Sequence, residues 1–352
     1  MNLFAEADRS QLIGPPYLFD STVLEEEHGD WGHQLLRAAI ALEMLTQITR
    51  RDQRIILKGG TLLQNSLTWP PYRASVDLDL EVEDSQDLKE VLAQIEHSFS
   101  HSEVRVTVRD TPLPGFTGHV QFPRATGPDW VLRIDALENT RWPSDVSPWG
   151  EIPTPWKAGD PPLVASVETR VAQKLLLAAD PPYGRTLESH LGRQNFIKDI
   201  FDLRCLGEEP IAEQRVLNAI HEDIARKSRY LDEDFQLDAV LHSAVETYRH
   251  FAHPPVNDDT LRGSLWRAYS RVKGGIQIPF TRAELRTSAG CAHHALESVQ
   301  RGTLDWEGAW RPALSGSPRS SWEGKQIRPV VGVPDDFGLT TGLLEAWAEF
   351  EP

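Results

Sequence analysis

One short segment constrains this chain more than any other. Arg54-Ile55-Ile56-Leu57 is a largely β-branched apolar run that stops at Lys58-Gly59-Gly60-Thr61. It reads as a buried strand that turns sharply into a helix over 61–67. Trp69-Pro70-Pro71-Tyr72 then breaks the helix. After Arg73-Ala74-Ser75 comes Val76-Asp77-Leu78-Asp79-Leu80-Glu81-Val82, a strict alternation of apolar and acidic residues. Period 2 makes this a strand with its carboxylates on one face, and it places Ser75 on that same face. A fold that accepts the segment must present a strand–helix–strand unit with one acidic surface.

The residue types point to phosphate and metal chemistry. A strand that ends in two glycines and runs into a helix offers backbone N–H groups to phosphate oxygens. Lys58 beside them adds a point charge suited to a polyphosphate. Asp77 and Asp79 lie ~6–7 Å apart along their strand. Hard divalent cations take oxygen ligands, and Mg²⁺ typically combines a few carboxylates with substrate phosphates. Two such ions ~3.5–4 Å apart can activate a hydroxyl and neutralise a leaving pyrophosphate. Asp135, in the alternating run Val131-Leu132-Arg133-Ile134-Asp135-Ala136-Leu137, is a candidate third carboxylate on a separate strand. Taken singly, Gly-Gly is an ordinary tight turn, Asp-x-Asp an ordinary solvated face, and Asp135 a surface acid. Their combination within one strand–helix–strand unit is hard to obtain by chance.

The rest of the chain sets the context. Its 352 residues are 40% hydrophobic and 25% charged, ordinary globular usage at a length that suggests two domains. No run reaches the ~18 apolar residues of a membrane span. The segment Met1–Glu6 lacks the basic and apolar regions of a secretory signal. Cys205 and Cys291 stand far apart and read as reduced packing residues of a cytoplasmic protein. A net charge of −16 argues against general coating of nucleic acid but leaves room for a local basic groove. Apolar periodicity predicts helices over 33–48 and 88–99. Alternation predicts strands over 104–108, 118–122 and 131–137. The Pro- and Trp-rich stretch 142–162 reads as a connector. Helices follow over 167–179, 196–205, 213–224, 237–251, 262–272 and 281–300, then a loop-like tail over 312–334 and a short helix over 343–350. Residues 1–30 show no clear period. The expected fold is α+β, a mixed α/β architecture: a mixed-sheet domain over 1–160, then a mainly helical domain over 161–352. Residues 161–205 and 206–352 form two parts of that helical domain, the second expected to be helices that dock an acceptor.

Lys58-Gly59-Gly60-Thr61 with Arg73-x-Ser75-x-Asp77-x-Asp79-Leu80 resembles the first motif of the AbiEii-type nucleotidyltransferase toxins. These are the toxin halves of AbiE toxin–antitoxin pairs, a family that includes the MenT toxins and shares the fold of DNA polymerase β. The later family motif is matched by Lys174-Leu175 and by Lys198-Asp199-x-x-Asp202-Leu203. The resemblance covers roughly 35–205 and departs from the pattern in the long insert 180–194. It implies that Asp77 and Asp79 hold Mg²⁺ or Mn²⁺, with Asp135 as third carboxylate near the attacking hydroxyl. Gly60 and Thr61 would bind phosphate, and Lys58, Gly59 and Ser75 would line the nucleotide site. Lys174 would meet the triphosphate of an NTP. Asp199, ahead of Asp202, would orient Lys174 or a substrate group.

The implied activity is metal-dependent transfer of nucleotides from an NTP to an RNA acceptor, the tRNA 3′ end in the MenT branch. That would block translation. The implied partner is a winged-helix antitoxin, and the implied biology is phage defence or growth control. Three alternatives carry different expectations. One is an antibiotic-type small-molecule nucleotidyltransferase, one an enzyme that nucleotidylates protein, and one a non-catalytic binding module. The last would usually have lost its acids, and all three are present. Two basic clusters with aromatics, Arg226-Lys227-Ser228-Arg229-Tyr230 and Arg262, Trp266, Arg267, Tyr269, Arg271, Lys273, suit backbone contact and base stacking. Each could equally be a solvated helix face.

Overall fold

A computed structural model describes residues 16–51, 54–67, 71–100, 103–111, 114–123, 129–139, 145–150, 161–253, 259–278 and 280–314. The described chain forms two compact units. One is built from the residues before Thr140 together with Pro148–Val164, the other from Ala165 onward together with 145–147.

The first unit begins with α1 (Ser21–His28) and α2 (Gly32–Thr49), followed by β1 (Ile55–Lys58), α3 (Gly59–Leu67) and β2 (Asp77–Val82). Then come α4 (Ser85–Ser98), β3 (Arg105–Asp110), β4 (Gly115–Phe122) and β5 (Trp130–Glu138). Two short strands, β6 (Val146–Pro148) and β7 (Leu163–Ala165), complete a seven-stranded sheet in the order β3-β4-β5-β2-β1-β7-β6. The sheet is mixed: β2 runs parallel to β5 and antiparallel to β1, and β4 is antiparallel to β5. Leu57, Leu78, Leu80, Leu92, Ile95, Phe116, Val120 and Ile134 form its core, together with Leu35, Leu36, Leu42 and Ile48 of α2. α2 is buried nearly all round, which is why its apolar residues exceed a single stripe. β2 shows why alternation alone underdescribes a strand. Leu78 and Leu80 face the core, while the acidic side runs from exposed Asp77 to fully buried Glu81.

The second unit is helical: α5 (Val167–Leu176), α6 (His190–Leu206), α7 (Glu213–Leu231), α8 (Leu237–Ala252), α9 (Asp259–Lys273), α10 (Arg282–Gln300) and α11 (Trp306–Leu314). Phe196 is fully buried, with its ring 5.2 Å from Tyr248 and 4.6 Å from Phe251. Trp310 is also fully buried and rests on Gly207, where a Cβ would come within 2.7 Å of the indole. α10 starts with a capping box between Thr281 and Glu284, which satisfies two otherwise orphaned N–H groups.

The structure differs from the sequence-based expectations at several ends. The helix after β1 takes in both glycines instead of starting behind them. α6 begins at His190 because Ser189 caps it, so the insert 180–194 contains its first turn. α1, capped by Asp20, lies where no period was visible. β6 and β7 have three residues each, too few to show an alternation. Pro312, expected in a tail, lies in α11. The rest of that tail and the helix expected over 343–350 lie outside the described residues. Cys205 and Cys291 are buried and unbridged. No described helix is long and apolar enough to cross a membrane.

Candidate active site

The site grows out of the turn between β1 and α3. Gly59 has φ +68, and a Cβ there would lie 1.8 Å from Asp79 Oδ2. Only glycine meets both conditions without strain. A Cβ on Gly60 would come within 2.7 Å of both Arg73 Nη2 and Ser75 Oγ. The two glycines therefore let Asp79, Ser75 and Arg73 close over the first turn of α3. Thr61 is fully buried, and its hydroxyl donates to the Asp77 carbonyl at 2.5 Å. That bond ties the start of α3 to the start of β2. Gln64 accepts from the Arg73 backbone N–H at 3.1 Å, fixing the segment that leads into β2.

Strand register then gathers the acids. Lys58 of β1 pairs with Asp79 of β2, Asp79 with Asp135 of β5, and Asp135 with Thr117 of β4. Paired residues on neighbouring strands share a face at a strand spacing of ~4.8 Å. Lys58, Asp79, Asp135 and Thr117 thus form one row across four strands. Asp77 stands two residues before Asp79 on the same face, opposite Arg133. Asp77 is exposed, and Asp79 and Asp135 are half-buried.

Each charge in the row has a neighbour that sets its role. Lys58 donates to Glu81 at 2.6 Å, and Glu81 is fully buried. Asp135 accepts from the Thr117 hydroxyl at 2.8 Å and from Arg133 Nε at 3.0 Å. Arg37 of α2 lies within electrostatic reach of Asp77. Burial lowers the pKa of the Arg37 guanidinium, and the Asp77 carboxylate partly restores it. Sequence reading did not single out Arg37, Thr117 or Glu81 as site residues. Arg37 and Thr117 reach the row from α2 and β4, with no local signal, whereas Glu81 lies in the same β2 alternation as Asp77 and Asp79.

The donor set suits a hard cation: three carboxylates on one sheet surface and no sulfur or imidazole among them. Among the described residues, the group whose ligand atoms all lie within 4.8 Å of one another is His293, His294 and Glu297. The acids of the row are gathered by register without being closed to that degree, and Asp135 is turned toward Arg133.

Lys174 and Asp199 meet in the second unit. Lys174 Nζ lies 2.6 Å from Asp199 and 2.8 Å from Asp202. Arg185, from the insert, reaches the other oxygen of Asp199 at 2.5 Å. All three residues of the Lys174 pair of bridges are buried. Burial would raise the pKa of the Asp199 carboxyl, but Lys174 and Arg185 together bring it below the usual value. Tyr248 donates to the Lys174 carbonyl at 3.2 Å. Asp202 is thus as close a partner as Asp199, where the expectation favoured Asp199.

Part of the first basic cluster turns out to serve packing. Arg226 is buried and pairs with Asp223 at 3.0 Å, and Lys227 pairs with the same carboxylate at 3.4 Å. Tyr183 donates to Asp223 at 2.7 Å and lies under Lys227, whose Nζ is 4.0 Å from its ring centre. Burial and the Asp223 charge push the Tyr183 hydroxyl pKa far up.

Comparison with known proteins gives this chemistry a class. A family model described as "Nucleotidyl transferase AbiEii toxin, Type IV TA system" matches residues 43–269, a span that holds every acid and lysine of both clusters. The protein is a nucleotidyltransferase, and it belongs to the AbiEii toxin family. Among solved structures it is similar to MenT4, a nucleotidyltransferase toxin from Mycobacterium tuberculosis H37Rv. The two are 15% identical with a TM-score of 0.49, over 84% of this chain and 99% of that one. No curated protein matches the sequence.

Proposed function

We propose that this toxin transfers a nucleotide from an NTP to the terminal hydroxyl of an RNA, with the tRNA 3′ end as acceptor, and so blocks translation. The observation that carries the reading is the register of Asp79 with Asp135, two residues from Asp77. In the transfer, the acceptor hydroxyl attacks the α-phosphorus, the bond to the bridging oxygen breaks, and pyrophosphate leaves. Asp135, between Asp79 and Thr117 in the row and oriented by Thr117 and Arg133, takes the hydroxyl proton in this reading. Asp77 and Asp79 face the phosphates, and with Asp135 would hold Mg²⁺ or Mn²⁺. When bound, that ion supplies charge neutralisation for the leaving pyrophosphate and a more acidic hydroxyl. The backbone N–H groups of Gly60 and Thr61 receive phosphate oxygens, since the Thr61 hydroxyl already serves β2. Ser75, over Gly60, lines the same turn. Lys58 keeps the row electrically balanced through Glu81. For Lys174 and Asp199 we propose the family roles, contact with the triphosphate and orientation of that lysine. The partner is a winged-helix antitoxin encoded with the toxin, and the setting is the cytoplasm, in phage defence or growth control.

The test is incubation of the protein with a divalent cation, total tRNA and each α-labelled NTP in turn, read on a denaturing gel. Label on tRNA from one NTP supports the reading and names the base. Label that appears only on a small molecule or a protein contradicts the RNA acceptor.

A further inference from the structure

From Thr260 to Arg286 the sequence holds six Arg or Lys residues and one acid, Glu284, in a chain of net charge −16. Glu284 is committed to the capping box at the start of α10. Arg267, Arg271 and Lys273 of α9 and Arg282 and Arg286 of α10 are all exposed. None of the five pairs with a carboxylate among the described residues. The buried or half-buried Lys174, Arg185, Arg204 and Arg226 of this unit each pair with a carboxylate. Five neighbouring cations with no carboxylate partner among the described residues keep a strong local field there.

The face also carries an aromatic plane. Trp266 is half-buried. The guanidinium carbon of Arg282 lies 4.8 Å from its ring centre, and that of Arg286 lies 5.2 Å away. These two arginines are one turn apart on α10, so both come to the same indole. Tyr269 packs edge-on to Trp266 at 6.3 Å and donates to the Phe280 carbonyl. Phe280 is itself buried against Phe201. The turn between α9 and α10 is therefore anchored, and the stack is preorganised. Among the described residues, the exposed large hydrophobics Val108, Val131 and Leu191 all lie elsewhere in sequence.

Unpaired guanidinium groups recognise phosphates bidentately. Splayed-out bases of single-stranded RNA stack on aromatic rings and on guanidinium planes. We propose that the α9–α10 face docks the acceptor RNA. Its phosphates lie along Arg267, Arg271 and Lys273, and an unpaired base stacks on the Trp266–Arg282–Arg286 layer. This inference rests on the reading that the acceptor is RNA.

The experiment is fluorescence anisotropy of labelled tRNA, and of a single-stranded RNA oligonucleotide, on the full-length protein between 50 and 200 mM salt. It is repeated with Arg267→Gln/Arg271→Gln/Lys273→Gln, with Trp266→Leu and with Trp266→Phe, after circular dichroism has shown that each is folded. The triple variant is expected to weaken binding and to flatten the log–log salt dependence by about 2–3. Trp266→Leu is expected to lose about tenfold or more, with Trp266→Phe in between. RNA labelling in which the triple variant keeps its affinity, salt slope and KM for tRNA would overturn the docking face while leaving the reaction intact. Binding that follows these variants in a protein that labels no RNA would uphold the face and overturn the reaction. If only the antitoxin loses affinity in the triple variant, the face is a protein interface and the inference is wrong.

Discussion

Asp79 and Asp135 occupy one register position on the parallel strands β2 and β5. Nothing local joins them, since more than fifty residues separate them in sequence. The pairing of a parallel ladder fixes their separation more tightly than a loop could. Lys58 and Thr117 extend the same row on either side, so the sheet itself is the positioning device.

Thr117 and Arg133 orient Asp135 without belonging to the acidic set. Thr117→Val removes one hydrogen bond to the carboxylate, and Arg133→Met removes the ion pair. The Arg133 side chain is exposed, so the stability effect should stay below about 1 kcal/mol. Loss of such an orienting partner should lower kcat about 10- to 100-fold with little change in KM for NTP. Thermal melts and steady-state kinetics of the two variants check both halves.

Gly59→Ala separates geometry from stability. The left-handed backbone would cost about 1–2 kcal/mol. The new methyl would also force the Asp79 carboxylate away from its position. A folded protein with little or no nucleotidyl transfer is the expected outcome, measured by circular dichroism alongside incorporation of labelled nucleotide.

Lys58→Met should destabilise the first unit by about 3 kcal/mol, because it removes the lysine that pairs with the fully buried Glu81 carboxylate. Lys58→Met/Glu81→Leu should recover much of that loss. Urea midpoints of the single and double variants decide the point. Equal destabilisation in both would mean that the pair is not what holds β1 to β2.

The Lys174–Asp199–Arg185 cluster predicts a pH dependence with a definite sign. The folded pKa of Asp199 lies below its unfolded value. Its contribution is therefore fully present above about pH 4 and is lost as pH falls through the lower, folded value. Urea midpoints at pH 5, 4 and 3 should fall steeply for the wild type. Asp199→Asn, weaker at pH 7 because Lys174 and Arg185 lose an anion, should fall less steeply.

How much of this was legible in the sequence depends on range. Gly59, Gly60, Ser75, Asp77 and Asp79 sit in one strand–helix–strand unit, so local period and turn chemistry were enough to group them. Asp135 could be proposed because its own strand alternates, but its register with Asp79 is a long-range pairing that no local pattern encodes. Arg37 and Thr117 were invisible as site residues for the same reason, whereas Glu81 stands in the same alternation as Asp77 and Asp79 and only its burial against Lys58 was hidden. Lys174 and Asp199 were matched by motif, whereas Asp202 and Arg185 became equal partners only once α5, α6 and the insert were packed. The Arg226–Lys227 pair looked like a surface charge cluster, and only the buried Asp223 one turn earlier shows otherwise. Short strands and capped helix ends escaped because three residues carry no period and a cap is a single side chain.

If Asp77, Asp79 and Asp135 together carry out nucleotidyl transfer, pyrophosphate release and label incorporation must fall together in Asp77→Asn, Asp79→Asn and Asp135→Asn relative to the wild type. All four would be compared after melts show that they are equally folded. Equal amounts of pyrophosphate and incorporated nucleotide are expected in the wild type, with a loss of at least about 100-fold in each variant. Undiminished transfer in any of the three would contradict that joint role.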